Sequence, residues 1–222
     1  MDAGVHLLNG LISYWKVDES GLPFADSKGT NPFTGGGGSG AAGAPGKINT
    51  AASFNGTAGS YFNCPSSSSL NPPGDFTWSV WLYSTNGSAA LFALSKGDYT
   101  LEPPTQFYLG YGDANGFFFG GSQDSIVHPL NTWYHLIGWW DSATQCDNCQ
   151  VNNGAVFTGP VRARVLTSSS LNFGALANNS APLGNWNGRI DEIGYWSRKL
   201  TDAEKTQLYN GGAGWAFSNF TA

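Results

Sequence analysis

Charge is scarce in this sequence. Asp, Glu, Lys and Arg make up 11% of its 222 residues, against roughly a quarter in ordinary soluble domains. The ten Lys and Arg are scattered, with Arg162/Arg164 and Arg198/Lys199 the only close pairs, and the net charge is −5. A nucleic-acid binder needs a basic stripe to neutralise phosphates, so no nucleic-acid partner is expected. No apolar run approaches the ~20 residues that span a bilayer, so no membrane insertion is expected. The stretch Met1 to His6 has neither a basic start nor a long apolar core, so it does not read as a signal peptide. Cysteine is limited to Cys64, Cys146 and Cys149, an odd count that argues against a full disulfide framework. Cys146 and Cys149 lack the second pair or nearby His of a zinc site. They read as loop cysteines, free or locally bridged. Glutamate is confined to Glu19, Glu102, Glu192 and Glu204, no two of them close in sequence. Neither a Gly-x-Ser-x-Gly elbow nor a His-Glu-x-x-His stretch occurs. His6, His128 and His135 lie far apart, and His135 reads as a strand residue rather than a general base.

What the sequence has is glycine, hydroxyl residues and aromatics: 31 Gly, 9 Trp, 9 Tyr and 14 Phe. That mixture suits many short strands joined by tight turns. Gly10 to Glu19 alternates with a period of two. A polar, Gly-rich stretch from Ser20 to Lys47 reads as a long loop with one short strand. Phe76, Trp78, Val80 and Leu82 fall on one face of the cleanest strand, with Trp81 and Tyr83 on the other. Further strands are expected at Ala51–Phe54, Ser60–Cys64, Leu91–Lys96, Gln106–Tyr111, Gly116–Gly120, Trp133–Asp141, Arg162–Val165, Leu171–Gly174 and Arg189–Trp196. A turn is expected at Val151–Gly154. One helix is predicted, from the capping-box spacing of Thr201 and Glu204 to the stop at Gly211-Gly212. At about ten residues it must dock on the rest of the chain to persist. The expected fold class is therefore all-β: a two-sheet antiparallel β-sandwich (jelly roll) with one short C-terminal helix. One domain over 1–222, with its core at about 10–214, is expected.

Several stretches, in this order, carry a family resemblance. They are Gly10–Gly21, Ala51–Gly56, Phe76–Tyr83, Trp133–Leu136 with Val151–Gly154, and Gly188–Trp196 followed by Lys199–Gly212. Together they resemble the concanavalin-A-like, laminin-G-like jelly-roll domains of bacterial and phage proteins. The resemblance implies a structural calcium joining the opening and closing strands. Asp191 and Glu19 would supply side-chain oxygens, and the Asn55-Gly56 turn a backbone carbonyl. Asp191 sits within an apolar strand, so it needs either an ion or a partner such as Arg189 or backbone amides. Sugar-cleaving relatives of this fold carry closely spaced carboxylates on one strand, and that signature is absent here.

Recognition is the chemistry that remains. Exposed rings stack on the apolar faces of sugars while amides take the hydroxyls. Tyr108, Tyr111, Phe118, Trp140 and Trp186 are the candidate ligand-binding rings. For each of them, filling the core between the two sheets is the preferred alternative. In the run Phe117-Phe118-Phe119, at least one ring must face away from its neighbours. The expected function is a non-catalytic surface-recognition or adhesion sandwich. A virion surface component, of capsid-decoration or tail-fibre type, is the first setting, because the chain reads as a complete product without a leader. The alternative is a secreted calcium-containing carbohydrate-binding module, and a glycoside hydrolase ranks behind both. The expected partner is a glycan or another virion or cell-surface protein, at an extracellular or virion surface. A homo-oligomer through edge strands or aromatic patches stays open.

Overall fold

The structure, a computed structural model, describes residues 6–37, 40–87, 89–97, 105–112, 116–164, 166–176 and 183–222. In chain order the elements are β1 (Leu11–Trp15), β2 (Gly35–Gly37), β3 (Ala41–Pro45), β4 (Thr50–Asn55), β5 (Tyr61–Cys64), β6 (Phe76–Ser84), β7 (Leu91–Gly97) and β8 (Thr105–Tyr111). Then follow β9 (Phe117–Phe119), β10 (Ser122–Gln123), β11 (Trp133–Asp141), β12 (Cys146–Val151), β13 (Val156–Val161), β14 (Leu171–Phe173), β15 (Asn187–Trp196) and α1 (Asp202–Tyr209). Two antiparallel sheets face one another. The first has the order β13-β12-β11-β6-β15-β4-β3, with β1 also paired to β15; the second has the order β10-β9-β8-β7-β14-β5-β2. This is the sandwich expected from the alternating pattern.

Alternation explains the core. Phe76, Trp78, Val80 and Leu82 of β6 are buried between the sheets, as the period of two requires. Trp78 stacks on Tyr195 at 4.0 Å between ring centres. In β1 a register shift between Leu11 and Ser13 changes the pattern. Trp15 enters the inter-sheet core, while Leu11 and Tyr14 face a second cluster. An extra residue in one strand re-aims its side chains in this way.

That second cluster lies on the outer face of the first sheet. Tyr14, Ile137 and Trp196 pack there against Leu200, Leu208 and Phe220. The short helix α1 thus gains the docking it needs. Its capping box is complete: Glu204 N–H donates to Thr201 Oγ1 (3.3 Å), and Thr201 N–H donates to Glu204 Oε2 (2.8 Å). The helix stops at Asn210, whose left-handed backbone precedes the expected Gly-Gly.

Three expectations change. The edge strand β13 occupies Val156–Val161 rather than Arg162–Val165. Arg162 instead turns its guanidinium onto Asp147, and Val165 lies outside the described residues. The Gly-rich stretch supplies two edge strands, β2 and β3, instead of one. Cys146 and Cys149 lie within β12, not a loop, and both are buried free thiols. Three residues apart on a strand, they point to opposite faces and cannot bridge locally. Among the described residues no helix is long and apolar enough to cross a membrane.

Candidate functional site

The outer face of the second sheet carries the strongest candidate. Phe107, Leu109 and Tyr111 of β8 point into the core, so Tyr108 and Gly110 point outward. In β9, Phe117 and Phe119 are core residues, which sends Phe118 outward. Gly110 is opposite Phe92 on one side and opposite Phe118 on the other. The glycine is required, because a Cβ there would overlap the Leu91 carbonyl oxygen and press on the Phe118 ring at 3.0 Å. Over it, Phe92, Tyr108 and Phe118 meet edge to face, at 5.8 Å (Phe92–Tyr108), 5.3 Å (Phe92–Phe118) and 5.8 Å (Tyr108–Phe118). Phe92 and Tyr108 are half-buried, and Phe118 is 7% exposed.

These rings line a hollow of about 230 Å³ whose other walls include Gly112, Gly120, Gly121 and Gln123. Among the described residues the rim is therefore mostly backbone, with one exposed side-chain amide, that of Gln123. An ion pair between buried Asp147 and partly exposed Arg162 fixes the Gly120-Gly121 turn. Asp147 in β12 accepts from both Nε and Nη2 of Arg162, the second at 2.8 Å, and from Gly121 N–H at 2.9 Å. Gly120 has a positive φ of 53°, and a Cβ there would overlap the Asp147 carboxylate. Arg162 also lies over the Trp140 ring, 5.0 Å from its centre. Along the same face, Tyr108 is opposite Ser95, Ser95 opposite Asn172, and Asn172 opposite Asn63. A polar row thus leads away from the rings across the sheet.

The five rings expected to bind ligand divide. Tyr108 and Phe118 come together at the hollow. Tyr111, Trp140 and Trp186 are 1%, 4% and 0% exposed and belong to the inter-sheet core. A ring closed between two sheets has no face left for a ligand. Tyr111 donates its hydroxyl to the His128 carbonyl at 2.7 Å. Phe92 and Gly110 were not among the sequence candidates. One signal for Tyr108 over Tyr111 was available: three residues apart on a strand, they cannot share a face.

The expected calcium ligands do not converge. Asp191 Oδ2 accepts from the backbone N–H groups of Lys47 (2.7 Å) and Ile48 (3.0 Å), and Oδ1 from that of Glu192 (2.9 Å). Asn55 is opposite Asn187 on β15, four residues from Asp191, or about 13 Å along a strand. Calcium needs ligand oxygens at about 2.3–2.6 Å. Glu19 turns to accept from Ala25 N–H at 3.0 Å. Asn55 Oδ1 accepts from Thr57, and Gly56 N–H donates to Trp186 O. Among the described residues no three acidic, His or Cys side chains gather as a metal site. Backbone amides, the other partner open to Asp191, hold its carboxylate.

Beside Asp191, Glu192 is also buried, at positive φ (49°), and accepts from the Tyr14 hydroxyl. Burial is the main cause that pushes Asp191 up to about 7 and Glu192 up to about 8. On the same outer face of the first sheet, where Trp81 is opposite both Asp191 and His135, burial and then the Lys47 charge pull His135 down to about 3.

No curated protein matches the chain by sequence. Residues 55–204 match the family described as the concanavalin A-like lectin/glucanases superfamily. Among solved structures, domain 4 of AbnA is similar with a TM-score of 0.67 at 22% identity, covering 89% of this chain and 97% of that one. AbnA is an extracellular GH43 arabinanase from Geobacillus stearothermophilus, and that domain was solved with arabinotriose. Trypanosoma rangeli sialidase is similar at 0.69 and 13% identity, covering 94% of this chain and 34% of its own. A botulinum neurotoxin type C structure, whose cell entry depends on two ganglioside molecules, is similar at 0.66 and 11%, covering 94% and 52%. At these identities the likeness is one of fold, and this chain spans about half of the toxin chain and a third of the sialidase.

Proposed function

This chain belongs to the concanavalin A-like lectin/glucanase superfamily, and on that premise we propose that it is a non-catalytic glycan-recognition module. The observation that carries this reading is the trio Phe92, Tyr108 and Phe118, gathered over Gly110 on an outer sheet face. Rings that merely fill a core have no reason to form an outer cluster around a glycine. A sugar's C–H face stacks on such rings, and backbone groups with the Gln123 amide take its hydroxyls. Two similar structures bear on the same chemistry, one solved with arabinotriose and one tied to gangliosides.

Support for a binding rather than a hydrolytic role comes from the carboxylates. Hydrolysis of a glycosidic bond uses two carboxyl groups about 5–10 Å apart across it. Among the described residues no carboxylate lines the hollow. Asp147 behind it is held by Arg162, Glu192 by Tyr14, and Glu204 by Arg198 and Thr201. Glu102 lies outside the described residues. A glycan array followed by calorimetry tests the reading. Tyr108→Ala weakens binding by about tenfold or more, equivalent to about 1.4 kcal/mol, with little change in unfolding temperature. Undiminished binding by that variant refutes the site. The reading fits an extracellular setting or a virion surface. Recovery of the protein with purified particles, or free in the medium, separates the two.

A further inference from the structure

We infer that the hollow selects uncharged sugars and rejects sialylated, sulfated or uronate ligands; this deepens the glycan reading and rests on it. The argument is an account of every cation in the chain. Of the ten Lys and Arg, Arg162 is tied to the wall of the hollow, through Asp147 and Gly121 N–H. Its Nε and Nη2 are both spent on Asp147. The carboxylate it neutralises lies directly behind Gly120, where an added Cβ would overlap it. An anion entering the hollow would therefore meet a balanced pair, with the negative member closest to the Gly120-Gly121 wall.

The remaining cations lie elsewhere. Arg164 donates to the Gly74 carbonyl at 2.7 Å and lies over Phe76. Arg189 and Lys47 lie over Tyr83 and Trp81, which face outward from the first sheet, the side opposite the hollow. Arg198, Lys199 and Lys205 pair with Glu204, Asp141 and Asp202. Lys96 donates to the carbonyls of Thr167 and Ser169 at 2.8 and 2.7 Å. Lys16 is with Asp18, and Lys28 is exposed in the loop after β1. None of the ten lines the hollow.

Recognition of carboxylate or sulfate relies on Arg or Lys, Arg commonly in bidentate geometry. Without a cation, a charged group held against aromatic rings loses hydration and gains no partner. The net charge of −5 adds a repulsive field at long range. Neutral ring faces and hydroxyls match what the hollow offers: three rings, glycine backbone and one amide.

Matched pairs that differ only in charge test this. Lactose against 3′-sialyllactose, and galactotriose against trigalacturonate, are titrated by calorimetry and by protein-observed NMR. The expected result is that the neutral member binds at least about tenfold tighter. Its affinity changes less than about twofold between 50 and 300 mM NaCl, as for an interaction without ion pairing. Gln123→Lys, at an exposed rim position, is expected to narrow the gap by about threefold or more through added attraction. Equal or tighter binding of the anionic member overturns the inference while leaving the glycan reading intact. Failure of both members of every pair to bind overturns the glycan reading itself, and the inference with it.

Discussion

Replacing His135 with Phe tests the packing between the first sheet and the C-terminal helix. The imidazole stacks against Trp81 at 4.9 Å and against Tyr209 at 6.2 Å. Nε2 bonds to Ser79 Oγ at 2.8 Å, and Nδ1 is buried without a partner. Burial, then the Lys47 charge, hold this His neutral down to about pH 3, whereas an unfolded His titrates near 6.5. A base with a lowered folded pKa makes the unfolded state the better proton acceptor. Stability is then full above pH 6.5 and is lost as pH falls below it. Each pH unit costs about 1.4 kcal/mol, so the loss reaches at most about 3 kcal/mol at pH 4. Phe keeps the stack, removes the orphan nitrogen and the proton site, and gives up one hydrogen bond of about 1 kcal/mol. Urea unfolding followed by tryptophan fluorescence at pH 4, 5, 6 and 7 measures the difference. The two proteins should lie within about 1 kcal/mol at pH 7. The variant should gain by about 3 kcal/mol relative to the parent at pH 4. Carboxylate titration is common to both and cancels. Parallel pH profiles would refute the burial argument.

Glu192→Gln should flatten the alkaline side of the pH profile. An acid raised to about 8 in the fold adds stability below its unfolded pKa of about 4.3, and that stability is lost as pH rises through 8. Urea midpoints from pH 5 to 9 would show this, and an unchanged slope would contradict it. Asp147→Asn leaves Arg162 unpaired and loosens the Gly120-Gly121 turn. We expect a loss of about 1–3 kcal/mol, less than for a fully buried pair because Arg162 is partly exposed, together with weaker sugar binding; full retention of both would remove this pair from the site. Calcium or EDTA should move the melting temperature by less than about 1 °C, since a ligand bound well above its Kd adds 2–4 kcal/mol and shifts it by several degrees. Cys64, Cys146 and Cys149 should resist a thiol reagent in the native protein and react together on unfolding, because all three are buried and burial pushes Cys64 to about 12 and Cys149 to about 11. Fast modification in native buffer would contradict that.

The sandwich was legible where alternation is clean. Strand β6 alternates apolar inner residues with Thr77, Ser79, Trp81 and Tyr83, and its faces came out as read. Strand β13 was misplaced because Val156–Val161 contains Gly159 and Pro160 and lies at an edge, half exposed. Arg162 and Arg164 instead serve the Asp147 pair and the Phe76 ring. The candidate site was half legible. Phe118 followed from parity, since three consecutive rings cannot share a face. Phe92 did not, because a bulge between Phe92 and Leu94 breaks its strand's pattern and only cross-strand register places it beside Gly110. Trp186 was read as a candidate ligand-binding ring, yet its backbone bonds to Gly174 and Gly56 draw the indole into the core. Asn55 and Asp191 are kept apart by distance along β15, which no local pattern encodes.

Both ends of the described chain are stitched to one side of the molecule. Leu8 N–H donates to the Thr221 carbonyl, His6 Nδ1 bonds to Ala222, and Trp196 Nε1 donates to Leu7 O. Leu7 and Phe220 belong to the cluster on the outside of the first sheet, whereas the aromatic hollow opens on the outside of the second. A tether at either end, be it a sensor chip, a bead or a fused neighbour, therefore leaves the hollow pointing away from its support. Crowding many copies on one plane would present an array of such hollows to the same polysaccharide, where avidity can compensate for weak single contacts.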